Sequence, residues 1–154
     1  MDYLIVKWLH ILSSTFLFGT GIGSAWYLLF AVVSRNISAI ATVARIVVIA
    51  DWLFTATTMI AQPVTGFYLV HLAGFPLNSR WLTWSIALYL VSLLCWLPVV
   101  WLQMRMRDVA AVAAHEAAPL PPLFGRYFRA WVLLGIPAFF AFVAVFYLMV
   151  AKPT

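Results

Sequence analysis

Few side chains in this sequence could take part in proton, electron or ligand chemistry, and the first of them is His10. It sits in the stretch 3–33, which carries no charged side chain between Lys7 and Arg35. On a helix of 100° per residue, Ser13, Ser14, Leu17, Gly21 and Ser24 all fall within about 60° of His10. One face thus offers an imidazole, then hydroxyls, then bare backbone at glycine. That face looks inward, because an ionisable group turned to acyl chains costs about 2.5 kcal/mol or more.

A second constellation lies downstream. Asp51, Thr55, Thr58, Gln62 and Thr65 recur at helical steps and form one polar stripe. Asp51 reads either as a salt-bridge partner of Arg45 or Arg105, or as the start of a proton path through Thr55, Thr58 and Gln62 towards His10. His71 lies about one turn beyond Tyr68, at a depth similar to His10. Two neutral imidazoles from two helices are a common way of holding a porphyrin iron, so His10 and His71 are the candidate axial ligands of haem b. Ser14 and Gly21 line the approach, with glycine letting a flat macrocycle near the backbone. Arg80 and Lys7 would meet its propionates. Met149 competes for the sixth position, whereas His115 lies on the opposite side. No cysteine, glutamate or nearby aspartate completes a zinc or copper set around the two histidines.

These side chains must be positioned by membrane helices. The chain has 154 residues, 66% hydrophobic and 8% charged, against about a quarter charged in soluble domains. Four stretches, about 3–33, 40–73, 81–107 and 127–151, are long and apolar enough to cross a hydrocarbon core about 30 Å thick. The expected architecture is all-α, a polytopic four-helix bundle, with the second helix kinked near Pro63 and Gly66. Residues 108–126 form an alanine-rich helical extension ended by Pro119, Pro121 and Pro122, a cytoplasmic connector. The lone cysteine, Cys95, excludes an intrachain disulfide.

Arg35, Arg45, Arg105, Arg107, Arg126 and Arg129 fall on one side, and Lys7, Arg80 and Lys152 on the other. The positive-inside rule makes the first side cytoplasmic, with both termini periplasmic in a bacterial inner membrane. Trp8 and Trp26, Trp52 and Tyr68, Trp84 and Trp101, and Trp131 and Tyr147 are 16–18 residues apart. At 1.5 Å per residue these gaps span roughly 24–27 Å, the separation of two interfacial belts. The net charge of +5 is therefore an orientation signal rather than a nucleic-acid signal. No nucleotide loop, nucleophile elbow, cysteine-pair metal motif or paired catalytic carboxylates occurs, which excludes hydrolase and phosphotransfer chemistry.

The opening YLIVKWLHI resembles the first helix of HemJ-type protoporphyrinogen oxidases, small four-helix haem b membrane proteins. The likeness continues in Pro63 and Gly66, in Trp81 and Leu82, and in Arg129, Pro137, Lys152 and Pro153. It implies His10 as a haem ligand. Thr83 or Ser85 stands where those oxidases carry a lysine, and Gly135 and Ile136 where they carry an acidic residue, so the likeness extends to haem binding rather than to that oxidation. The combination ADWLF, QPVTG, VHLAG and WLPVVWLQMRMRD is more similar to a bacterial integral-membrane family defined as a domain of unknown function. The expected function is a haem b redox protein, either an oxidase-like enzyme or an electron-transfer subunit serving quinone or a partner protein. The alternative is a cofactor-free membrane scaffold that assembles a larger complex. In either case a homo-oligomer or a subunit of a complex is expected.

Overall fold

A computed structural model describes residues 1–153, all of them in helices or short connections. Helix α1 spans Asp2–Val33, α2 spans Ile37–Ala73, α3 spans Arg80–His115 and α4 spans Pro122–Ala151, and all four are long and apolar enough to cross a membrane. Local chemistry sets their ends. Asn36 caps α2 by accepting the Ala39 backbone N–H at 3.1 Å. Gly74 closes α2 in the left-handed region (φ 66°), and the Phe75 N–H bonds back to the Val70 carbonyl at 3.1 Å. Pro122 opens α4 at the position where a missing N–H costs nothing.

Helix α3 runs to His115 and α4 starts at Pro122, so the connection is only residues 116–121. The alanine-rich extension of α3 is part of the core: Ala110 and Ala113 are buried there, their small side chains allowing close approach of neighbouring helices.

The main irregularity of α2 is a π turn at Asp51–Thr55, in which the Ala56 N–H reaches back to the Asp51 carbonyl. Pro63 lies downstream, inside the regular segment Ala56–Ala73. The extra residue in the wide turn shifts the register, so the faces before and after it point to different partners. Ahead of the turn α2 packs mainly on α3; behind it α2 packs on α1.

Pro63 has no N–H, which leaves the Met59 carbonyl without its usual helical partner. The Tyr89 hydroxyl, from α3, donates to that carbonyl. Tyr89→Phe is therefore expected to destabilise the bundle by about 1–2 kcal/mol, read as a lower melting temperature in detergent. In a Pro63→Ala background the restored N–H takes over, and the loss should largely vanish.

Two packed regions hold the helices. The larger gathers Leu28, Ile40, Val47, Leu102, Met106 and Phe124 near the arginine-rich face. The smaller joins Val70, Trp81 and Leu82 near the face that holds both termini, where the Lys152 ammonium sits 4.5 Å from the Phe75 ring centroid and 5.7 Å from that of Trp81. Between them, α1 with the second half of α2 forms one pair and α3 with α4 the other. Stacking of Phe18 on Phe139 helps to bridge the pairs.

Candidate functional site

Polar side chains inside the bundle fall into two centres. The first is at the seam of α1 and α2. The Thr65 hydroxyl oxygen lies 2.7 Å from His10 Nδ1 and 2.6 Å from the Ala61 carbonyl, tying the imidazole to α2. With the hydroxyl hydrogen given to Ala61, Nδ1–H donates to Thr65 and the Nε2 lone pair is free. Gln62 donates to the His10 carbonyl at 2.9 Å and also to the Ser13 hydroxyl. The His10 ring lies on Gly66, where an added Cβ would come within 3.3 Å of Cε1. Gly66→Ala should thus push the ring off its contact and cost about 1 kcal/mol, measured as a shift in thermal unfolding, whereas Gly125→Ala, with nothing within 4 Å, should bring no such loss.

His71 does not join this centre. It lies exposed in the last turn of α2, five residues beyond Gly66, which turns it about 140° from the face that meets His10. Met149 packs on the Val70, Trp81 and Leu82 cluster instead, and Arg80 is exposed at the start of α3. Ser14 donates to the Ile11 carbonyl on its own helix at 2.7 Å. The two-histidine haem cradle expected from the sequence therefore does not assemble: one imidazole is engaged with an alcohol and packed on glycine, and the other faces outward. A single imidazole ligand, His10 Nε2, is what this seam offers.

The second centre is a chamber of about 400 Å³ lined by all four helices. Gly21 and Ser24 reach it from α1, Asp51 and Thr55 from the π turn, Ser92, Trp96 and Gln103 from α3, and Trp131 from α4. Asp51 is buried and accepts the Thr55 hydroxyl at 2.9 Å. Neither Arg45 nor Arg105 pairs with it. Both arginines are exposed, Arg105 lies over the Trp101 ring at 5.4 Å, and among the described residues the only ion pair is Arg107 with Asp108 at 2.7 Å.

Three side-chain polar atoms are buried without a hydrogen-bond partner among the described residues: Trp96 Nε1, Gln103 Oε1 and Trp131 Nε1. All three residues line the chamber. Unpaired buried groups cost about 1–3 kcal/mol each, and in a bilayer no bulk water relieves them. Each of the three atoms is closed off from open space, so it is packed against protein even though its residue lines the chamber.

The polar stripe of α2 is thus divided. Asp51 and Thr55 serve the chamber, Gln62 and Thr65 serve the His10 seam, and Thr58 between them turns back on its own helix, donating to the Phe54 carbonyl at 2.6 Å. Among the described residues no hydrogen bond carries the stripe from one centre to the other.

Comparison with known proteins is consistent with this architecture. The model of the family described as "Predicted integral membrane protein (DUF2269)" matches residues 4–153. The chain belongs to this family. No curated protein and no solved structure matches it, so the likeness to HemJ-type oxidases rests on the quoted residues alone. As a DUF2269 member the chain is an integral membrane protein whose site must be argued from its own side chains.

Sequence reasoning missed the chamber's α3 and α4 walls. Trp131 reads as a belt residue by its spacing to Tyr147, yet it is only 7% exposed, against 61% for Trp8 and 63% for Trp84. Gln103 carried a usable signal: it is a lone amide in an apolar helix, seven residues after Trp96 and hence on the same face.

Proposed function

We propose that the protein is a membrane-embedded binding protein for a lipophilic molecule bearing hydrogen-bonding oxygen, held in the chamber between the two helix pairs. The observation that carries this reading is the chamber itself, about 400 Å³ between the helix pairs, whose otherwise apolar lining includes the polar residues Asp51, Ser92, Trp96 and Gln103. Its volume lies within the range of roughly 300–1,000 Å³ that takes small ligands, and its walls are mostly apolar with a few convergent polar groups, as such sites are. The excess of arginine on one face supports that face lying on the cytoplasmic side of a bacterial inner membrane, with both termini periplasmic. Association with a second copy or a partner subunit is supported by an open groove along α1 and the first half of α2, lined by Gly19, Gly23, Ala31 and Ala39. The test is solvent extraction of the detergent-purified protein followed by mass spectrometry. A stoichiometric lipophilic molecule other than bulk phospholipid supports the reading, and its loss in Gln103→Leu assigns it to the chamber; an extract of phospholipid alone overturns it.

A second reading keeps the redox role, with His10 as the one protein ligand of haem b and quinone or a partner protein as electron acceptor. It is supported by the free His10 Nε2 and by Thr65, which orients the ring as an outer-shell partner orients a metal-bound histidine. Bound haem would supply one-electron chemistry; the chain's own contribution is to hold the imidazole in one tautomer. A Soret band in the purified protein, lost in His10→Ala and shifted in Thr65→Val, would support it. Colourless, folded protein would leave His10 as a structural tie between α1 and α2.

A further inference from the structure

The chamber holds one group whose charge no neighbour answers. Asp51 is the only ionisable side chain among the described residues that line it. The π turn puts it there, a local irregularity that recurs at functional sites. Thr55 ties one carboxyl oxygen, Oδ1, at 2.9 Å. Oδ2 makes no such bond and, unlike the three sealed atoms on Trp96, Gln103 and Trp131, keeps open surface. The open space that Asp51 borders is the chamber. Gln103 lies beside the carboxyl, so both of these neighbours are neutral donors. Among the described residues no arginine, lysine or histidine lines the chamber, and Arg107 pairs with Asp108 instead. An ionisable group inside a membrane bundle is costly, and it is kept where a partner of opposite charge meets it.

We propose that the occupant is a lipophilic amine, an amphiphile that joins a basic nitrogen to its hydrogen-bonding oxygen and apolar tail, and whose protonated nitrogen pairs with Asp51. This rests on the reading that the chamber holds a lipophilic ligand. The walls suit such a cation. Seven of the lining residues are aromatic, Phe18, Trp96, Trp131 and Phe139 among them, and aromatic faces attract an ammonium group more strongly once it has shed its water. A bare metal ion fits less well. Asp51, Thr55 and Gln103 supply too few oxygens for a hard cation, and no cluster of three or more metal-ligating side chains gathers among the described residues. An amine also has a way in. Trp26 and Phe140 line the chamber while being 59% and 63% exposed, so it opens towards lipid between α1 and α4. A free base entering there takes the carboxyl proton of Asp51, one N–H bond forming as one O–H bond breaks. The ion pair then arises in place, and no bare charge crosses the hydrocarbon.

The experiment is calorimetric titration of the full-length protein in phosphatidylcholine nanodiscs, with the heat of empty discs subtracted. The probes are N-dodecylethanolamine and ethylene glycol monododecyl ether, which differ only in an ether oxygen standing where the amine nitrogen was. The amine should bind at one per chain and about tenfold or more tighter than the ether. Asp51→Asn should bring the two to equal affinity, while Asp108→Asn, which removes a carboxylate outside the chamber, should leave the preference unchanged. Equal affinities in the unaltered protein, or a preference that survives Asp51→Asn, overturn the amine assignment but not the existence of a ligand site. So does a co-purified molecule without a basic nitrogen. Binding of neither probe, with only phospholipid in the extract, overturns both. Should Asp51→Asn fail to fold, the ratio of amine to ether affinity in the unaltered protein decides the matter alone.

Discussion

Met106→Ala is expected to lower the unfolding free energy of the bundle by about 2–4 kcal/mol, the largest loss for a single side chain away from the chamber. Met106 is fully buried, at 0% exposure, within the core that joins α2, α3 and α4. Lipid offers no hydrophobic drive for helices to associate, so their adhesion comes from close contact and hydrogen bonds. Truncating a side chain at that junction opens a void that the three backbones cannot close together. Equilibrium unfolding in mixed detergent reads the effect. Met106→Leu, close in volume, should stay within about 1.5 kcal/mol of the unaltered protein.

Gln62→Leu should lower stability by about 1–2 kcal/mol. The Gln62 amide makes both of its described hydrogen bonds to α1, one to the His10 carbonyl and one to the Ser13 hydroxyl. Its removal and that of His10 should be strongly non-additive, because His10→Ala frees the ring contact with Gly66 and Thr65 on the same seam. A double-mutant cycle on the melting free energies measures the coupling. An additive pair would mean that the seam is not one unit.

Much of the architecture is legible in the sequence because lipid is an unforgiving solvent. Charge-free stretches have to be helices, and arginines have to mark their ends. The Asp51–Thr55 contact follows from a spacing of one helical turn, and the polar face of α1 meets the polar stripe of α2 at Gln62 and Thr65 as a matching of two polar faces. What the sequence hides has a physical reason as well. A phenylalanine facing lipid and one facing an internal chamber look alike, so hydropathy carries no trace of a cavity. Trp131 and Trp84 have the same composition signal and opposite burial. The register shift at the π turn has no proline or glycine to announce it, and the shift decides that Asp51 faces the chamber while Thr65 faces His10. His71 shows the converse failure: a matching depth brings two histidines level without bringing them to one face.

The most direct test is native mass spectrometry of the bundle released from detergent. The expected spectrum shows the polypeptide carrying one lipophilic adduct, lost when Gln103 and Trp131 are replaced together by leucine and phenylalanine. A spectrum of bare polypeptide, together with Gln103→Leu raising the melting temperature because an unpaired buried carbonyl has been removed, would contradict it.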